Sequence, residues 1–509
     1  MGGNLLTEAD IRQLRTAGIS QEKAQAQLDF LQNGVKPLVL DRPCTVGDGI
    51  VAIPAAELPI LTKLHDEAAA QGRCMKFVPA SGAASRMFTD WHNTLAKGVS
   101  QCPDFERAIT NNLPKFAFFP DLKRTLAGRG QDVETLLKQG NLQHILDFIL
   151  SARGLNYGQL PKALLSFHNC KEGNRTALEE HLVEAALYTA DAQGNCRIHF
   201  TVSEGHHRQT MHFVEKICKT HEDRLCITLQ VEFSTQSASS QTMAMEGEKL
   251  SRDAAGRLML RPGGHGALLE NLGALKESDI IFIKNIDNVT HDKAKADLVL
   301  YKKALGGYFI SLQEESFRHL RNLSAPTITL QEIGAARRFC ENKLSAVFST
   351  TFTELPLAQQ RERLAERLHR PLRVCGMVRN EGEPGGGPFW VAEGRECSLQ
   401  IVERHQIDVC DSAQSALWAA STHFNPVDIV CGMRDYQGKQ FDLAAFVDQA
   451  AFSLTEKNEK GRQLKVLEYP GLWNGSMSRW NTVFVEVPNA TFCPVKMIDD
   501  LLKPEHQLQ

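Results

Sequence analysis

Phe77-Val-Pro-Ala-Ser-Gly-Ala-Ala-Ser-Arg-Met87 carries an apolar, strand-type run directly into small residues and then an arginine. Small side chains let backbone N–H groups approach an anion closely, and the guanidinium adds a permanently charged fork matched to phosphate oxygens. The segment also reads as a tight strand-to-helix turn with a solvated arginine, since it lacks both the Gly-Lys-Ser/Thr end of a Walker A loop and a GxGxxG fingerprint. The chain beyond Met87 decides between fold classes. Helical periodicity near 176–189 and 206–219 alternates with strand-type runs at 197–202 and 226–233, and a helix near 267–275 precedes the apolar run 279–286. Such alternation predicts an α/β fold with a mixed, mostly parallel sheet flanked by helices.

The rest of the chain is arranged around this layer. Residues 1–72 open with two helices: Thr7-Glu-Ala-Asp10 is a capping-box-like start, Gly18 a stop, and Ala24, Leu28 and Leu31 share one face until Gly34. They predict an N-terminal helical arm. The α/β domain is expected over 73–310, with a helical insertion at about 91–158. A helical connection comes next at 311–370, marked by a Thr329/Glu332 capping box and a stripe of Leu357, Leu364 and Leu368. Short strand signals at 373–378, 399–402, 427–432 and 482–487 predict a C-terminal α+β part over 371–509.

A chain of 509 residues with 42% hydrophobic and 23% charged residues is globular and large enough for a substantial core. Lys+Arg 57 against Asp+Glu 60 leaves no basic excess for nucleic acid. No apolar run approaches the ~20 residues a membrane helix needs, and residues 1–30 hold no signal-peptide core, so the expectation is a cytosolic protein without a membrane or nucleic-acid partner. None of the 13 cysteines forms a CxxC pair, and Cys226, Cys375 and Cys431 lie in apolar runs, which predicts buried free thiols.

Three more segments carry chemistry. In Leu160-Pro-Lys-Ala-Leu-Leu165 a rigid Pro-Lys turn aims Lys162, ahead of a helix opened by a Thr176/Glu179 capping box. Arg261-Pro-Gly-Gly-His-Gly266 is too glycine-rich for a routine connection; it lets a planar group or a phosphate lie against the backbone, with His265 as donor. Lys284-Asn-Ile-Asp-Asn288 sets a carboxylate between amides at the end of an apolar strand, where open α/β sheets bind ligands and a Mg²⁺-binding Asp is commonly placed. Taken alone, an aspartate in this position more often caps the next turn than binds a metal.

Together these segments resemble the GT-A-type nucleotidyltransferases. Residues 81–87 are similar to their Gly-Gly-x-Gly-Thr-Arg loop and Pro161-Lys162 to their Pro-Lys motif. Arg261-Pro-Gly-Gly-His-Gly266 and Asn285-Ile-Asp-Asn288 resemble the Pro-Pro-Gly-His-Gly and Asn-x-Asp-Asn segments of the eukaryotic-type UDP-sugar pyrophosphorylases, and Phe492-Cys-Pro-Val-Lys496 with Asp499 resembles their Phe-x-Pro-Val-Lys-Asn. The whole chain also resembles a bacterial family catalogued as a domain of unknown function, in phrases such as Pro470-Gly-Leu-Trp-Asn-Gly475.

The resemblance implies a GT-A, Rossmann-like fold and Mg²⁺-dependent transfer of a nucleotide from UTP to a sugar 1-phosphate, releasing pyrophosphate. It implies that Ala80, Ser81, Gly82 and Ala83 wrap the nucleotide, and that Arg86 and Lys162 contact the triphosphate or departing pyrophosphate. Gly264, His265 and Gly266 would face the nucleoside, with Gln236 reading the base. Asp287 would bind Mg²⁺ and Lys496 would bridge the phosphates. The sugar phosphate is expected to meet Asn285, Gly386, Gly387, Glu403 and Asn425. For the last four the bland readings are a hairpin turn, a solvated carboxylate and a cap before Pro426.

Two departures stand out. Ala84 replaces a signature glycine and Ser85 a threonine, and a methyl would crowd backbone at positive φ. This favours, as an alternative, a silent nucleotide- or sugar-binding protein. A glycosyltransferase is a further alternative, but such enzymes usually hold metal with Asp-x-Asp, a pattern this sequence lacks. His206, His207 and His212 lack the i, i+4 spacing of paired metal ligands. Trp390, Trp473 and Trp480 suit an aromatic core better than a sugar platform.

Overall fold

The computed structural model describes residues 5–82, 84–171, 173–383, 385–394, 396–459 and 461–507. The chain forms two compact units, one made of residues 69–234, 284–302 and 488–509, the other of 1–68, 235–283 and 303–487.

In the first unit the strand Cys74–Pro79 is buried over all but its last residue, as a strand covered on both faces must be. It pairs in parallel with Asn195–Thr201 (Phe77 opposite His199), which pairs in parallel with Thr228–Ser234 (Ile198 opposite Val231). The helix Ala177–Tyr188 packs on the first two strands, and the helix Glu204–Leu225 connects the second to the third and packs on the third. Parallel neighbours require such crossovers. Thr176 opens the first helix through the expected capping box with Glu179. Five helices, Thr89–Lys97, Pro103–Asn112, Phe119–Ala127, Val133–Lys138 and Leu142–Leu150, follow the strand Cys74–Pro79. Trp91, Phe116, Phe118 and Tyr157 join them to the unit's core, with Phe116 stacked on Phe118 at 5.1 Å.

In the second unit six strands run in the order Thr45–Val46, Gly49–Val51, Asn481–Glu486, Leu372–Arg379, His423–Gly432 and Ile280–Lys284. The first three pairings are parallel, and Leu372–Arg379 meets His423–Gly432 antiparallel with Val374 opposite Val430. The architecture is thus a mixed, mainly parallel α/β fold. The long helix Lys295–Ser324 carries Gly306 and Gly307 where the helix Leu58–Ala70 crosses it; a Cβ at Gly307 would stand 1.9 Å from the Leu61 carbonyl oxygen. Close approach explains glycine at a position where it otherwise weakens a helix.

The two N-terminal helices, Glu8–Thr16 and Gln21–Asn33, lie against a smaller antiparallel sheet that includes Gln241–Glu246 and Arg462–Glu468. Leu14, Ile19, Leu28 and Leu31 share a buried cluster with Met243, Met245, Leu250 and Leu467, each large side chain contributing about 1.5–3 kcal/mol of burial. Asp10 takes two hydrogen bonds from Arg252, at 2.7 and 2.8 Å.

Two sequence expectations are corrected. Cys226 is no buried strand thiol: it caps the helix Glu204–Leu225 in the left-handed conformation, φ 54°, and is exposed. The helix runs on through Glu222, Asp223, Arg224 and Leu225, past the end of its apolar pattern. Leu357 is also exposed, while Leu364 and Leu368 of the same stripe are buried. Among the described residues no helix is long and apolar enough to cross a membrane.

Candidate active site

Lys162, Asp287 and Lys496 meet within the first unit. Lys162 Nζ donates to Asp287 Oδ2 at 2.9 Å and to the Val495 carbonyl at 3.0 Å. Lys496 Nζ lies 3.2 and 3.1 Å from the two oxygens of the same carboxylate. Each group is aimed by a short local structure. The rigid Pro161 leads Lys162 into a 3-10 turn, and the Lys162 N–H donates to the Gly82 carbonyl. Asp287 comes just after the strand Ile280–Lys284, with the Ile286 N–H tied to the Pro79 carbonyl. The Lys496 and Met497 N–H groups both donate to Asp500 Oδ2 at 2.8 Å, and the Ile498 N–H donates to the Met87 carbonyl. The small-residue loop, the Pro-Lys turn, the Asn-Ile-Asp-Asn segment and the C-terminal lysine segment therefore share one place.

The electrostatics arise from that convergence. Burial works to raise the Asp287 pKa, but Lys496 and Lys162 outweigh it and hold the carboxyl below its ordinary range. Burial pulls Lys162 down, Asp287 opposes this, and the charges of Lys496 and Arg86 pull the same way as burial. Arg86, exposed at the end of the turn Ala84–Arg86, thus reaches the cluster through its field. Ala80 is buried, with its N–H on the Thr201 carbonyl, whereas Ser81 and Gly82 are accessible. Among the described residues nothing lies within 4 Å of a Cβ built on Gly82. Ala83 falls outside the described residues. Ala84 corrects the expectation drawn from its methyl: it is absent from the positive-φ residues and its side chain is in the unit's core, so the methyl crowds no strained backbone.

Beneath this cluster lies a charged network that sequence reasoning missed. Glu184, fully buried on the helix Ala177–Tyr188, accepts hydrogen bonds from Lys76 at 2.9 Å and Lys284 at 2.9 and 3.0 Å. Burial would raise its pKa, yet Lys284 and Lys76 drive it well below the usual range. Burial, partly opposed by Glu184, brings Lys76 down to about 7. His181 Nε2 donates to the Ile286 carbonyl, 3.2 Å away, in the loop that carries Asp287. The readable signal was charge inside apolar runs, Lys76 and Lys284 on strands and Glu184 on a helix. Asn285 is half-buried, and its carbonyl accepts the Asn288 N–H.

The remaining expected residues lie in the second unit. Gln236 Nε2 donates to the Gly264 carbonyl at 3.1 Å, joining two of them. His265 accepts the Leu472 N–H at Nδ1 (3.0 Å) and stacks on Trp473 with centroids 4.2 Å apart. Burial lowers its pKa against the pull of Glu403 and Glu468, matching a neutral ring whose proton sits on Nε2. The glycines of this loop serve packing: a Cβ would come 2.3 Å from the Ser240 carbonyl oxygen at Gly263 and 2.1 Å from the Pro470 carbonyl oxygen at Gly266, and Gly264 has φ +77°. Gly386 and Gly387 line a cavity of about 300 Å³ with Arg404 and His423. Glu403 begins the turn Arg404–Gln406, and buried Asn425 turns its Oδ1 to the Val427 N–H, supporting φ 58° at that valine. Trp390 and Trp480 are buried.

No curated protein matches the sequence. Among solved structures, a UDP-N-acetylglucosamine pyrophosphorylase from Trypanosoma brucei is similar at TM-score 0.50 and 12% identity, with 97% of this chain and 79% of that chain covered. A UDP-glucose pyrophosphorylase from Leishmania major is similar at TM-score 0.45 and 12% identity, with 98% and 79% covered. The first of these is a likeness of fold. A family model matches residues 7–507, and the chain belongs to that family, described as a domain of unknown function, DUF4301.

Proposed function

We propose that the protein is a nucleotidyltransferase that joins a nucleotide, drawn from UTP, to a sugar 1-phosphate and releases pyrophosphate. The observation that carries this reading is the meeting of Lys162, Lys496 and the field of Arg86 at Asp287, beside a loop whose Gly82 leaves room for a ligand. In this reaction an oxygen of the sugar phosphate bonds to the α-phosphorus while the bond to the leaving pyrophosphate breaks. Charge gathers on phosphate oxygens, and catalysis consists of alignment and cations more than of an acid–base pair. Lys162, buried and anchored, holds a fixed ammonium; Lys496 and Arg86 supply accessible ones. The fold likeness to a protein named UDP-N-acetylglucosamine pyrophosphorylase supports the substrate class.

Toward Mg²⁺ the cluster offers the carboxylate of Asp287, now paired with Lys162 and Lys496. Among the described residues no three His, Cys, Asp or Glu side chains are grouped to hold a metal, so Asp287 would be one hard oxygen ligand to a cation that keeps water and substrate phosphate for the rest of its shell. Bound there, Mg²⁺ would neutralise phosphate charge.

The test is thermal stabilisation across nucleoside triphosphates and nucleotide sugars, with and without Mg²⁺, on wild type and Asp287→Ala. A ligand at 100 times its Kd adds about 2.7 kcal/mol, read as a shift of a few degrees. A uridine-selective shift, strengthened by Mg²⁺ in wild type and not in Asp287→Ala, is expected, with pyrophosphate release on adding the matching sugar phosphate. A flat response to every nucleotide overturns the reading.

A further inference from the structure

Both oxygens of the Asp287 carboxylate are already taken by ammonium groups, and the two lysines differ in how firmly they are held. The Lys162 side chain is 11% exposed and has a second acceptor in the Val495 carbonyl. The Lys496 side chain is 52% exposed, and Asp287 supplies the only acceptors for its Nζ among the described residues. Its backbone, by contrast, is tied down by Asp500, whose carboxylate takes the N–H groups of both Lys496 and Met497. Any departure of the Lys496 ammonium is therefore a side-chain swing on a fixed base. It leaves no orphan charge, because Asp287 keeps its bond to Lys162; breaking a buried pair outright would be far costlier.

We propose that Lys496 is a built-in counter-ion that keeps Asp287 closed to a divalent cation until a phosphate-bearing ligand draws the ammonium away, so that cation and phosphate ligand enter together. The inference rests on the proposed function, in which this site takes a phosphate ligand. One carboxylate faces Lys162, Lys496 and the field of Arg86, so a dication approaching the free protein meets net positive charge. A phosphate group reverses that sign, offers Lys496 a better partner and frees one carboxylate edge. Binding of either then favours the other by the same factor.

Mn²⁺ titration of the full chain, monitored by loss of the free-ion spin-resonance signal, reads this directly without turnover. Wild type is expected to bind Mn²⁺ at least tenfold more weakly than Lys496→Met, while Lys496→Arg, which keeps the charge, stays as weak as wild type. Inorganic phosphate, a poor chelator, should raise the affinity of wild type at least tenfold and that of Lys496→Met much less. Equal Mn²⁺ affinity in wild type and Lys496→Met, or no effect of phosphate on wild type, overturns the proposal. If the Mn²⁺ and phosphate arms behave as expected while no nucleotide stabilises the protein, the counter-ion stands and the nucleotidyltransferase reading falls.

Discussion

Gly82 and Gly266 look alike in the sequence and differ in what surrounds them. A Cβ on Gly82 meets no atom within 4 Å among the described residues, and the residue needs no positive φ, whereas a Cβ on Gly266 would lie 2.1 Å from the Pro470 carbonyl oxygen. Gly82→Ala should therefore leave the unfolding free energy within about 0.5 kcal/mol of wild type, while reducing the stabilisation by nucleoside triphosphate. Gly266→Ala has backbone in its way and should cost about 2–3 kcal/mol, read as a lower urea midpoint with no ligand present. A stable Gly266→Ala would show that the loop gives way easily and that its glycines serve something other than packing against Pro470.

At the scale of elements, the N-terminal helices are held by burial together with a directed ion pair. Asp10, with a side chain only 2% exposed, closes its own capping box with Thr7 and accepts both donors from Arg252. The Arg252 hydrogen bond is the largest influence on Asp10, burial opposes it, and Thr7 adds to it; the result is a carboxyl at about 2. A carboxyl lower in the folded state stabilises above its unfolded value of ~3.9 and loses that contribution as pH falls toward 2. Arg252→Ala should cost about 1–2 kcal/mol at pH 7, with the difference from wild type shrinking below pH 4. A constant difference across that range would mean that the loss comes from packing of the arginine stem.

Over the whole molecule, sensitivity to mild acid, above the range in which carboxylates titrate, comes from buried imidazoles such as His506 and His181. His506, near the chain's end, shares a 2.8 Å hydrogen bond with His168 of the hairpin strand Ser166–Cys170; burial, reinforced by His168, lowers it to about 3. Burial, then the charge of Lys76, carries His181 well below the ordinary value. Both stay neutral when folded, while the unfolded chain takes up protons near pH 6.5, so stability falls as pH drops below that point. The slope is about 1.4 kcal/mol per pH unit for each histidine, roughly 2.7 for the two together. Urea midpoints measured from pH 7.5 to 4.5 should be level at first and then fall; a flat profile to pH 4.5 would show both imidazoles protonated without penalty.

How much of this was legible in the sequence depends on the range of each interaction. Thr7, Thr176 and Thr329 open their helices as expected because a capping box closes within three residues. The strand–helix alternation from Cys74 to Ser234 was legible for the same reason, since side-chain period is a property of neighbours. The sequence by itself thus determined the fold class, the main helices and the chemical types of the residues that meet at Asp287. Only the tertiary structure decided that Lys162 and Lys496 share Asp287, across separations of 125 and 209 residues. It alone revealed that Glu184 holds Lys76 and Lys284 beneath them, and that Gly263 and Gly266 are small because Ser240 and Pro470 stand against them. Strand order, and the assembly of each unit from three stretches, rest on hydrogen bonds and burial between residues far apart in the chain, and local periodicity holds no record of which distant partner closes them.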